Sequence, residues 1–325
     1  MSALGEYRSS GLIDQGAGAA AAALRARAVE WELEVSDADG FLQIPLWGGT
    51  LSLGLAGEGA RLTIRAPEKR VVQFIRDAVA EVLEAEGVTV GWDHVDAGAL
   101  PPGVALMQVE RITEFSPTYL RVRLRGADCT RYASTGLHFR LLLAPEGRAP
   151  VWPVIGVNGR TVWPDGADAL HRPVYTAAAQ GEDWLDFDIF RHAGSPTCDW
   201  AARNPVGVTV GVMGPGGGMC PEASDLLLFG DETALPAMRR MLDLAPGRVS
   251  AVLRARREDI ADLAQDIRVT CVPDLLVALM AANPEPAPGR HVWFAGRDDD
   301  ARAARAFLSG RGFAKRDFTA AAYWG

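Results

Sequence analysis

The octapeptide at residues 230–237, Gly-Asp-Glu-Thr-Ala-Leu-Pro-Ala, combines acidic and hydroxyl side chains with the expected start of a helix. It follows the apolar run Asp225–Phe229, which predicts a buried strand. A strand that turns directly into a helix leaves backbone N–H groups free to bind phosphate or another polar cofactor group. Thr233 is the predicted N-cap, and Pro236 falls in the first turn, where its missing N–H costs nothing. A well-capped helix without a ligand fits the same spacing.

Three further segments carry residues suited to a flat, phosphorylated cofactor. Tyr175 can stack on a heteroaromatic ring while Thr176 offers a hydroxyl to a ring nitrogen. The small residues of Gly194–Ala201 predict a second helix start, suited to a pyrophosphate. The glycines at 214 and 216–218 permit a close backbone approach or a bend between domains. Each segment also has an ordinary interpretation, namely a strand-end tyrosine, a plain N-cap and a flexible loop.

The pattern of apolar residues along the chain predicts two kinds of sheet around these segments. Between residues 105 and 214, short alternating strands separated by turns favour a small antiparallel barrel. Its strand candidates are Tyr119–Leu124, His138–Leu143, Trp184–Phe190 and Val208–Met213. After the glycines, strands alternate with helices, which predicts a parallel α/β sheet. Its strands are placed at Asp225–Phe229, Val249–Arg254, Val269–Val272, His291–Ala295 and Ala320–Trp324, and its helices at Ala234–Leu244, Glu258–Asp266, Asp274–Ala282 and Ala301–Gly310.

The N-terminal part has a pattern of its own and shows no catalytic constellation. Alternation predicts strands at Ala28–Val35, Leu51–Leu55 and Arg61–Ile64, then a helix over Val71–Glu86 and a short strand at Val88–Trp92. The proline- and glycine-containing segment Asp96–Gly103 is typical of a linker. The predicted organisation is therefore a small α+β domain over residues 1–98, a barrel over 104–218 and an α/β domain over 219–325.

Composition limits the classes of function. The 325 residues are 48% hydrophobic and 23% charged, as in a globular protein, and the net charge of −8 gives no reason to expect nucleic acid or an anionic membrane surface as a partner. The four cysteines are scattered without a CxxC pair, which disfavours zinc or iron–sulfur sites and fits a reducing compartment. No apolar run approaches the roughly 18 residues of a membrane span. A cytoplasmic location is predicted.

In this order, these segments resemble the siderophore-interacting proteins, the ferric-siderophore reductase branch of the ferredoxin-reductase-like flavoenzymes. The resemblance covers about residues 105 to 325, and Gly230–Ala237 is its most specific part. The matching segments also include His138-Phe139, Tyr175-Thr176, Leu185–His192, the small-residue turn before Trp200, Val210–Gly218, Val292–Gly296 and Ala321–Gly325. Residues 27–93 resemble a small domain of unknown function that accompanies some members.

The resemblance implies that the barrel binds FAD and that the α/β domain admits NADH or NADPH. Tyr175 would stack on the flavin, Thr176 would approach its N5 edge, and Thr197 with Cys198 would face the phosphates. Trp324 would close over the flavin pocket. The nicotinamide side would be lined by the residues at the strand ends, namely Asp231, Glu232, Thr233 and Ala234, with Ala295 and Gly296 opposite.

Three positions depart from the family pattern. Pro173 stands where an arginine usually precedes the tyrosine, Ala178 replaces a second arginine, and Arg297 replaces a common glutamate. Phosphate anchoring would then come from Arg172 through a shifted backbone, from His138 or Arg140, or from backbone amides.

The implied substrate is a ferric siderophore, commonly an anion, so basic residues should surround the flavin mouth. The candidates for this patch are Arg140, Arg160, Arg172 and Arg297. NADPH is weakly preferred over NADH because Arg254, Arg256 and Arg257 follow the second α/β strand, where a 2′-phosphate would lie. Two alternatives stay open: a flavin reductase of the same fold with another electron acceptor, and a non-catalytic siderophore-binding protein that has lost the flavin.

Overall fold

The computed structural model describes residues 6–38, 40–133 and 136–325. The chain divides into two compact units, which are described separately. The first comprises Met1–Val104 together with Ala144–Leu170, and the second comprises Ala105–Leu143 and His171–Gly325. Residues 1–5 of the first predicted domain lie outside the described residues. The three-domain division predicted from the sequence stays a prediction, and the compact units group residues 144–170 with the N-terminal part.

The first unit is an antiparallel sheet with two helices. Its elements are β1 (Tyr7–Ile13), α1 (Ala17–Glu30), β2 (Ser36–Ala38), β3 (Phe41–Leu46), β4 (Gly49–Ala56), β5 (Gly59–Ala66), α2 (Lys69–Glu84) and β6 (Gly91–Trp92). The strands follow the order β2-β3-β4-β5-β1-β6. The predicted α+β class is confirmed, and the strands around 51–55 and 61–64 and the helix from 71 are present.

The strand predicted at Ala28–Val35 is wrong, because Ala28–Glu30 form the end of α1 and residues 31–35 form a turn and an irregular segment. Alanine has the highest intrinsic helix propensity, so the alanine-rich stretch before it forms a helix. Ala17, Ala20, Leu24 and Ala28 recur at helical spacing and are buried. They pack with α2 residues such as Ile75 into one core beneath the sheet.

The second unit begins with a closed antiparallel barrel, which confirms the predicted architecture. Its first strands are β7 (Val104–Ser116), β8 (Tyr119–Arg125) and β9 (His138–Leu142). The chain then passes through the hairpin β10 (Val154–Ile155) and β11 (Thr161–Val162), which belongs to the first unit. The barrel continues with β12 (Val174–Gln180), β13 (Trp184–Phe190), the short helix α3 (Pro196–Ala202) and β14 (Thr209–Gly216). The barrel order is β12-β13-β8-β7-β14-β9.

Polar side chains of α2 hold the hairpin in the first unit. The Asp77 carboxylate accepts hydrogen bonds from the backbone N–H of Thr161 at 2.8 Å and from its hydroxyl at 2.7 Å. Gln73, which is buried, donates to the Gly159 carbonyl at 3.0 Å. These long-range bonds leave no periodic signal in the sequence, and none was expected there.

A parallel sheet with helices completes the second unit, as predicted. Its elements are β15 (Asp225–Asp231), α4 (Leu235–Leu244), β16 (Arg248–Arg254), α5 (Arg257–Ile260), β17 (Val269–Cys271), α6 (Leu275–Ala282), β18 (Arg290–Arg297), α7 (Asp298–Gly310) and β19 (Phe318–Trp324). The order is β17-β16-β15-β18-β19. The helix predicted over 258–266 is only partly present, because α5 gives way to a 3-10 turn at Ala261–Gln265. No helix in the described residues is long and apolar enough to cross a bilayer.

A buried arginine on α4 ties this sheet to the barrel. The Arg240 guanidinium donates to the carbonyls of Tyr132 at 2.9 Å and Ala133 at 3.0 Å, and to those of Gly136 and Leu137 at 3.4 Å. These carbonyls lie in the loop that leads into β9. Burial lowers the pKa of Arg240, and no carboxylate among the described residues pairs with it. Hydrogen bonds to four carbonyls take the place of an ion pair.

We expect Arg240→Met to lower the free energy of unfolding by about 3 kcal/mol, because it leaves buried carbonyls without donors. Urea denaturation followed by tryptophan fluorescence measures the change. Arg302→Met is the matched control, since Arg302 is exposed and pairs with Asp298 and Asp299 only at the surface of α7. Its loss should cost no more than about 0.5 kcal/mol. Equal effects of the two substitutions would contradict a structural role for Arg240.

Candidate functional site

A cavity of about 560 Å³ opens in the second unit. It is lined by strands of the barrel, the residues leading into α3, the start of α4 and the C-terminal end of β19. Six of the predicted site residues line it together: His138, Tyr175, Thr176, Thr197, Thr233 and Trp324. The fold therefore brings together residues that are up to 186 positions apart in the sequence.

Asp231 organises the turn between β15 and α4. Its carboxylate accepts hydrogen bonds from the Thr233 backbone N–H at 2.9 Å, the Thr233 hydroxyl at 2.6 Å and the Trp324 indole Nε1 at 2.7 Å. The carboxylate is almost fully buried, and Arg254 lies 3.5 Å from it. One side chain thus fixes both the turn and the C-terminal tryptophan at the cavity.

The predicted N-cap role of Thr233 is wrong. The helix begins at Leu235 with Ala234 in the N-cap position, and the Thr233 side chain bonds back to Asp231 instead. Pro236 does lie in the first turn, as expected. Aspartate side chains commonly accept hydrogen bonds from the residue two positions later and so close a turn. The Thr233 hydroxyl is used in this turn and does not cap the helix.

Two glycines make room for this arrangement. A Cβ at Gly230 would lie 2.3 Å from the Met238 sulfur, so only glycine permits the close packing of β15 against α4. Gly218 has a φ of +55°, and a Cβ there would lie 2.9 Å from the His138 ring. The glycine cluster therefore serves the placement of a histidine as well as the turn itself.

His138 lies in a hydrogen-bonded chain of three side chains. Its Nδ1 is 3.1 Å from the Thr176 hydroxyl, and its Nε2 is 3.1 Å from the Tyr323 hydroxyl. Burial, with a further contribution from Arg240, lowers the pKa of His138 to about 4. The imidazole is therefore neutral at pH 7, so one ring nitrogen donates and the other accepts. Burial also raises the pKa of Tyr323, which stays protonated.

This chain of side chains has two arrangements without a change in charge. When Nδ1–H donates to Thr176, the Thr176 hydroxyl proton is free to point into the cavity and Nε2 accepts from Tyr323. When Thr176 instead donates to Nδ1, its oxygen is free to accept a bond from the cavity, and Nε2–H donates to Tyr323. The hydroxyl of Thr176 can thus present either a donor or an acceptor to a bound group.

Tyr175 forms an aromatic wall beside this hydroxyl. Its ring centroid lies 4.9 Å from that of Phe187, and burial raises the pKa of the phenol to about 12. Thr197, a buried residue of α3, lies with its hydroxyl 3.1 Å from His171 Nε2. Burial lowers the pKa of His171 as well. An aromatic face, two hydroxyls and neutral imidazoles suit a flat heteroaromatic ring.

Cationic side chains are missing from the described lining of this cavity. Arg172 is exposed and lies outside the lining, and its carbonyl accepts a bond from Arg140 at 3.3 Å. Asp188 lines the cavity, but Arg121 binds it through two hydrogen bonds of 2.8 Å. The site therefore has polar groups for hydrogen bonding and little net charge.

The other predicted site residues are not part of the cavity lining. Ala234, Ala295 and Gly296 are buried, and a Cβ at Gly296 would approach the Asp231 carboxylate at 3.0 Å. Glu232 pairs with Arg254 at 3.1 Å, and Cys198 is half-buried on α3 with its N–H bonded to Ser195. Arg256 and Arg257 are exposed.

Sequence reasoning gave no role to several residues of the site. Tyr323 and His171 have none in the sequence analysis, and Tyr119 was placed only in a strand, yet its hydroxyl donates to the Glu232 carbonyl. Of these, only Tyr323 had a usable signal, because it stands beside Trp324 in the C-terminal motif. The other two depend on contacts between distant strands.

The barrel, the parallel sheet and the aromatic cavity together define the FAD-binding, ferredoxin-reductase-like oxidoreductase fold. Two family models match the chain: the siderophore-interacting FAD-binding domain over residues 108–219 and the siderophore-interacting protein over residues 223–325. The chain belongs to the siderophore-interacting protein family, which confirms the resemblance seen in its sequence. The N-terminal region of about 100 residues lies outside both matches.

Parts of this chain are similar to several known proteins. A solved siderophore utilization protein from T. fusca is 27% identical, with a TM-score of 0.56 over 68% of this chain and 92% of that one. SipS from Aeromonas hydrophila is 24% identical, with a TM-score of 0.53 over 68% and 97%, and supports the fold alone. The ferric vibriobactin reductase ViuB of Vibrio cholerae is 27% identical over 168 residues, 48% of this chain. The chain spans 60% of the length of that curated relative.

The pKa of His138 makes a prediction about stability and pH. Because the native pKa is about 4 and that of a histidine in the unfolded chain about 6.5, the unfolded state binds more protons between these values. Stability contributed by the neutral imidazole is therefore complete above pH 6.5 and is lost as the pH falls toward 4. We expect wild-type protein to lose about 2 kcal/mol more than His138→Gln between pH 7 and pH 5.

Urea denaturation at the two pH values measures this difference, and His94→Gln serves as the control because the His94 side chain is exposed. The control should keep the wild-type slope. A His138→Gln protein with the wild-type slope would mean that the imidazole is not held neutral by its surroundings.

Proposed function

We propose that this protein is an NAD(P)H-dependent, FAD-containing ferric-siderophore reductase that releases iron as Fe(II) in the cytoplasm. The observation that carries the proposal is the cavity in which Tyr175, the Thr176–His138–Tyr323 chain and the Asp231–Trp324 pair meet. Membership of the siderophore-interacting family and the likeness to a ferric vibriobactin reductase support it.

The residues of the cavity fit a flavin ring better than they fit its phosphates. Tyr175 would hold the ring by stacking, Thr176 would meet its polar edge, and Trp324 would cover it. Thr197, His171 and backbone amides are left for the phosphates, because the described lining has no lysine or arginine. Because Pro173 and Ala178 replace the arginines usual in the family, the phosphates would be bound by neutral hydrogen-bond donors and not by cations.

Bound FAD would supply the redox chemistry, accepting a hydride from nicotinamide and releasing single electrons to Fe(III). The protein's own side chains would orient the flavin ring and shield it from solvent. Thr176 would donate or accept at the polar edge of the ring, with His138 and Tyr323 adjusting behind it. No side chain needs to gain or lose a net proton. The buried Asp231 would keep Trp324 and the turn in place.

Ferric siderophores are the substrate class that this chemistry suits. Their hard oxygen donors hold Fe(III) much better than Fe(II), so reduction weakens the complex. Arg140, Arg172 and Arg297 are exposed in the second unit and are the candidates for contact with an anionic chelate. Arg160 belongs to the first unit, where it pairs with Glu84.

The choice of nicotinamide depends on the arginines at the C-terminal end of β16 and just after it. Arg254 is engaged by Glu232 at 3.1 Å and by Asp231 at 3.5 Å, so a 2′-phosphate would have to compete with two carboxylates for it. Arg256 and Arg257 are exposed and would be the groups that favour NADPH. The preference over NADH is accordingly expected to be small.

The first test is an anaerobic visible spectrum of the full chain reconstituted with FAD and then mixed with NADPH or NADH. We expect the flavin bands to bleach and to recover when a ferric siderophore is added, with Fe(II) trapped by a chromogenic chelator. Thr176→Val should slow the bleaching about tenfold, because it removes a hydrogen bond worth roughly 1.4 kcal/mol. Thr209→Val, at an exposed position of β14, is the matched control.

The outcomes separate the competing functions. Reoxidation by a quinone or free flavin but not by ferric siderophore would favour a reductase of the same fold with another acceptor. A protein that retains no FAD at high concentration, yet binds ferric siderophore, would be a binding protein and would end the reductase proposal.

The phosphate end of the site makes a separate prediction. Pro173→Arg restores a cation at the rim of the cavity and should tighten FAD binding about tenfold, with an affinity that falls as salt rises. Fluorescence titration of FAD measures both effects. Thr209→Arg adds the same charge at an exposed barrel position and should leave the affinity unchanged. Equal affinities for the wild-type protein and Pro173→Arg would mean that FAD phosphates do not lie near residue 173.

A further inference from the structure

A second cavity, of about 600 Å³, opens in the first unit. Its walls come from β1, the first turns of α2 and the segment that follows β6, with Ile155 of the hairpin. This volume lies within the usual range of small-molecule sites. All the lining residues belong to the N-terminal unit, and none of them takes part in the proposed flavin chemistry.

The lining of this cavity is rich in cations, although the unit that contains it is acidic. Residues 1–104 and 144–170 contain ten Lys and Arg against eighteen Asp and Glu, so they carry the whole net charge of −8. Four of the ten cations nevertheless line the cavity: Arg8, Arg61, Lys69 and Arg76. Only two carboxylates, Asp93 and Asp96, share the lining. A chance distribution on an acidic surface would give the opposite ratio.

The two carboxylates already have partners. Asp93 lies 3.9 Å from Arg61, and Asp96 lies 2.8 Å from the His94 imidazole. Arg8, Lys69 and Arg76 form no ion pair with any described residue. The Arg8 Nε donates to the Ser10 hydroxyl at 3.2 Å, and the Lys69 ammonium lies 5.8 Å from the centre of the Tyr7 ring. Three cations therefore line one cavity without a direct ion pair, and of these Arg76 also feels the charge of Asp96 and Asp77 at longer range.

Arg76 is held rigidly by neutral groups. Its Nε donates to Ser9 at 3.0 Å, its Nη2 donates to the His94 carbonyl at 2.6 Å, and its guanidinium stacks on Trp92 at 4.5 Å. Burial lowers the pKa of Arg76, and the nearby carboxylates of Asp96 and Asp77 oppose that shift only in part. A desolvated, fixed guanidinium gains more from an anion than an exposed one does, because less water and less side-chain freedom must be given up.

The rest of the lining is apolar or aromatic. Val72, Leu100, Pro102 and Ile155 contribute aliphatic surface, and the exposed Tyr7 ring stands beside Lys69. A bare inorganic anion would leave this surface in water. An anion with an aromatic body would bury it and would meet the cations with its charged end.

From the convergence of unpaired cations on a partly apolar cavity, we propose that the N-terminal unit binds a small organic anion, of the aromatic carboxylate class. Arg8, Lys69 and Arg76 hold the carboxylate, and the aliphatic residues with Tyr7 hold the ring. The two cavities share no lining residue, so this proposal does not depend on the proposed reductase activity.

Isothermal titration calorimetry of the full chain with salicylate at low salt tests the proposal, with phenol and inorganic phosphate as parallel probes. We expect saturable binding of salicylate that weakens as salt rises, and at least tenfold weaker binding of phenol and phosphate. The double variant Arg8→Gln/Lys69→Gln should weaken salicylate about tenfold or more. Both residues are exposed, so the fold should be retained.

Arg148→Gln is the matched control, because Arg148 is an exposed cation of the same unit that pairs with Asp168 and does not line the cavity. It should bind salicylate as the wild type does. The proposal is overturned by an absence of saturable heat with wild-type protein, or by equal losses in the double variant and the control. Phenol binding as tight as that of salicylate would show that the cations are not used, and equally tight phosphate would exclude the aromatic class.

Discussion

The candidate flavin site depends on buried polar bonds that hold the parallel sheet against the barrel, because neither part encloses the cavity alone. Arg240 on α4 binds carbonyls of the loop before β9, and Tyr119 of the barrel donates to the Glu232 carbonyl after β15. Buried polar groups are costly unless they are satisfied, so these contacts favour one arrangement of the two parts and penalise others. Burial is the main cause of the lowered pKa of His138, and the positive charge of Arg240 adds to it.

The most specific sequence motif forms hydrogen bonds both within its own turn and with a residue far along the chain. In Gly230–Ala237, Gly230 permits close strand–helix packing, and Asp231 closes the turn through Thr233. The same carboxylate accepts a bond from Trp324, 93 positions further on. A loss of Asp231 would thus disturb the turn and the C-terminal cover at once. Asp231 therefore organises the cavity without lining it, while Thr233 and Pro236 of the same motif do line it.

Elements with a strong local periodicity of apolar residues could be predicted from the sequence. The strand at Trp184–Phe190 and the alternating strands and helices after residue 225 lie close to where they were predicted. The alanine-rich α1 was missed because its buried face is made of small side chains with little hydrophobic contrast. The hairpin at 154–162 and the Tyr323–His138 bond could not be predicted, since each depends on contacts across distant parts of the chain. Six of the predicted site residues nevertheless line one cavity, because each stands in a segment with a recognisable local pattern.

The two cavities illustrate different ways of recognising a charged molecule. In the second unit, where acidic and basic residues are equal in number, the lining offers hydroxyls and neutral imidazoles, and Asp188 is already neutralised by Arg121. Binding there must come from stacking and hydrogen bonds, which depend on shape and are only weakly screened by salt. In the acidic first unit, unpaired cations make charge the larger contribution, and its strength falls with ionic strength. The surrounding negative charge would also repel anions that do not reach the cavity, so the acidic unit would favour ligands whose shape lets them enter it.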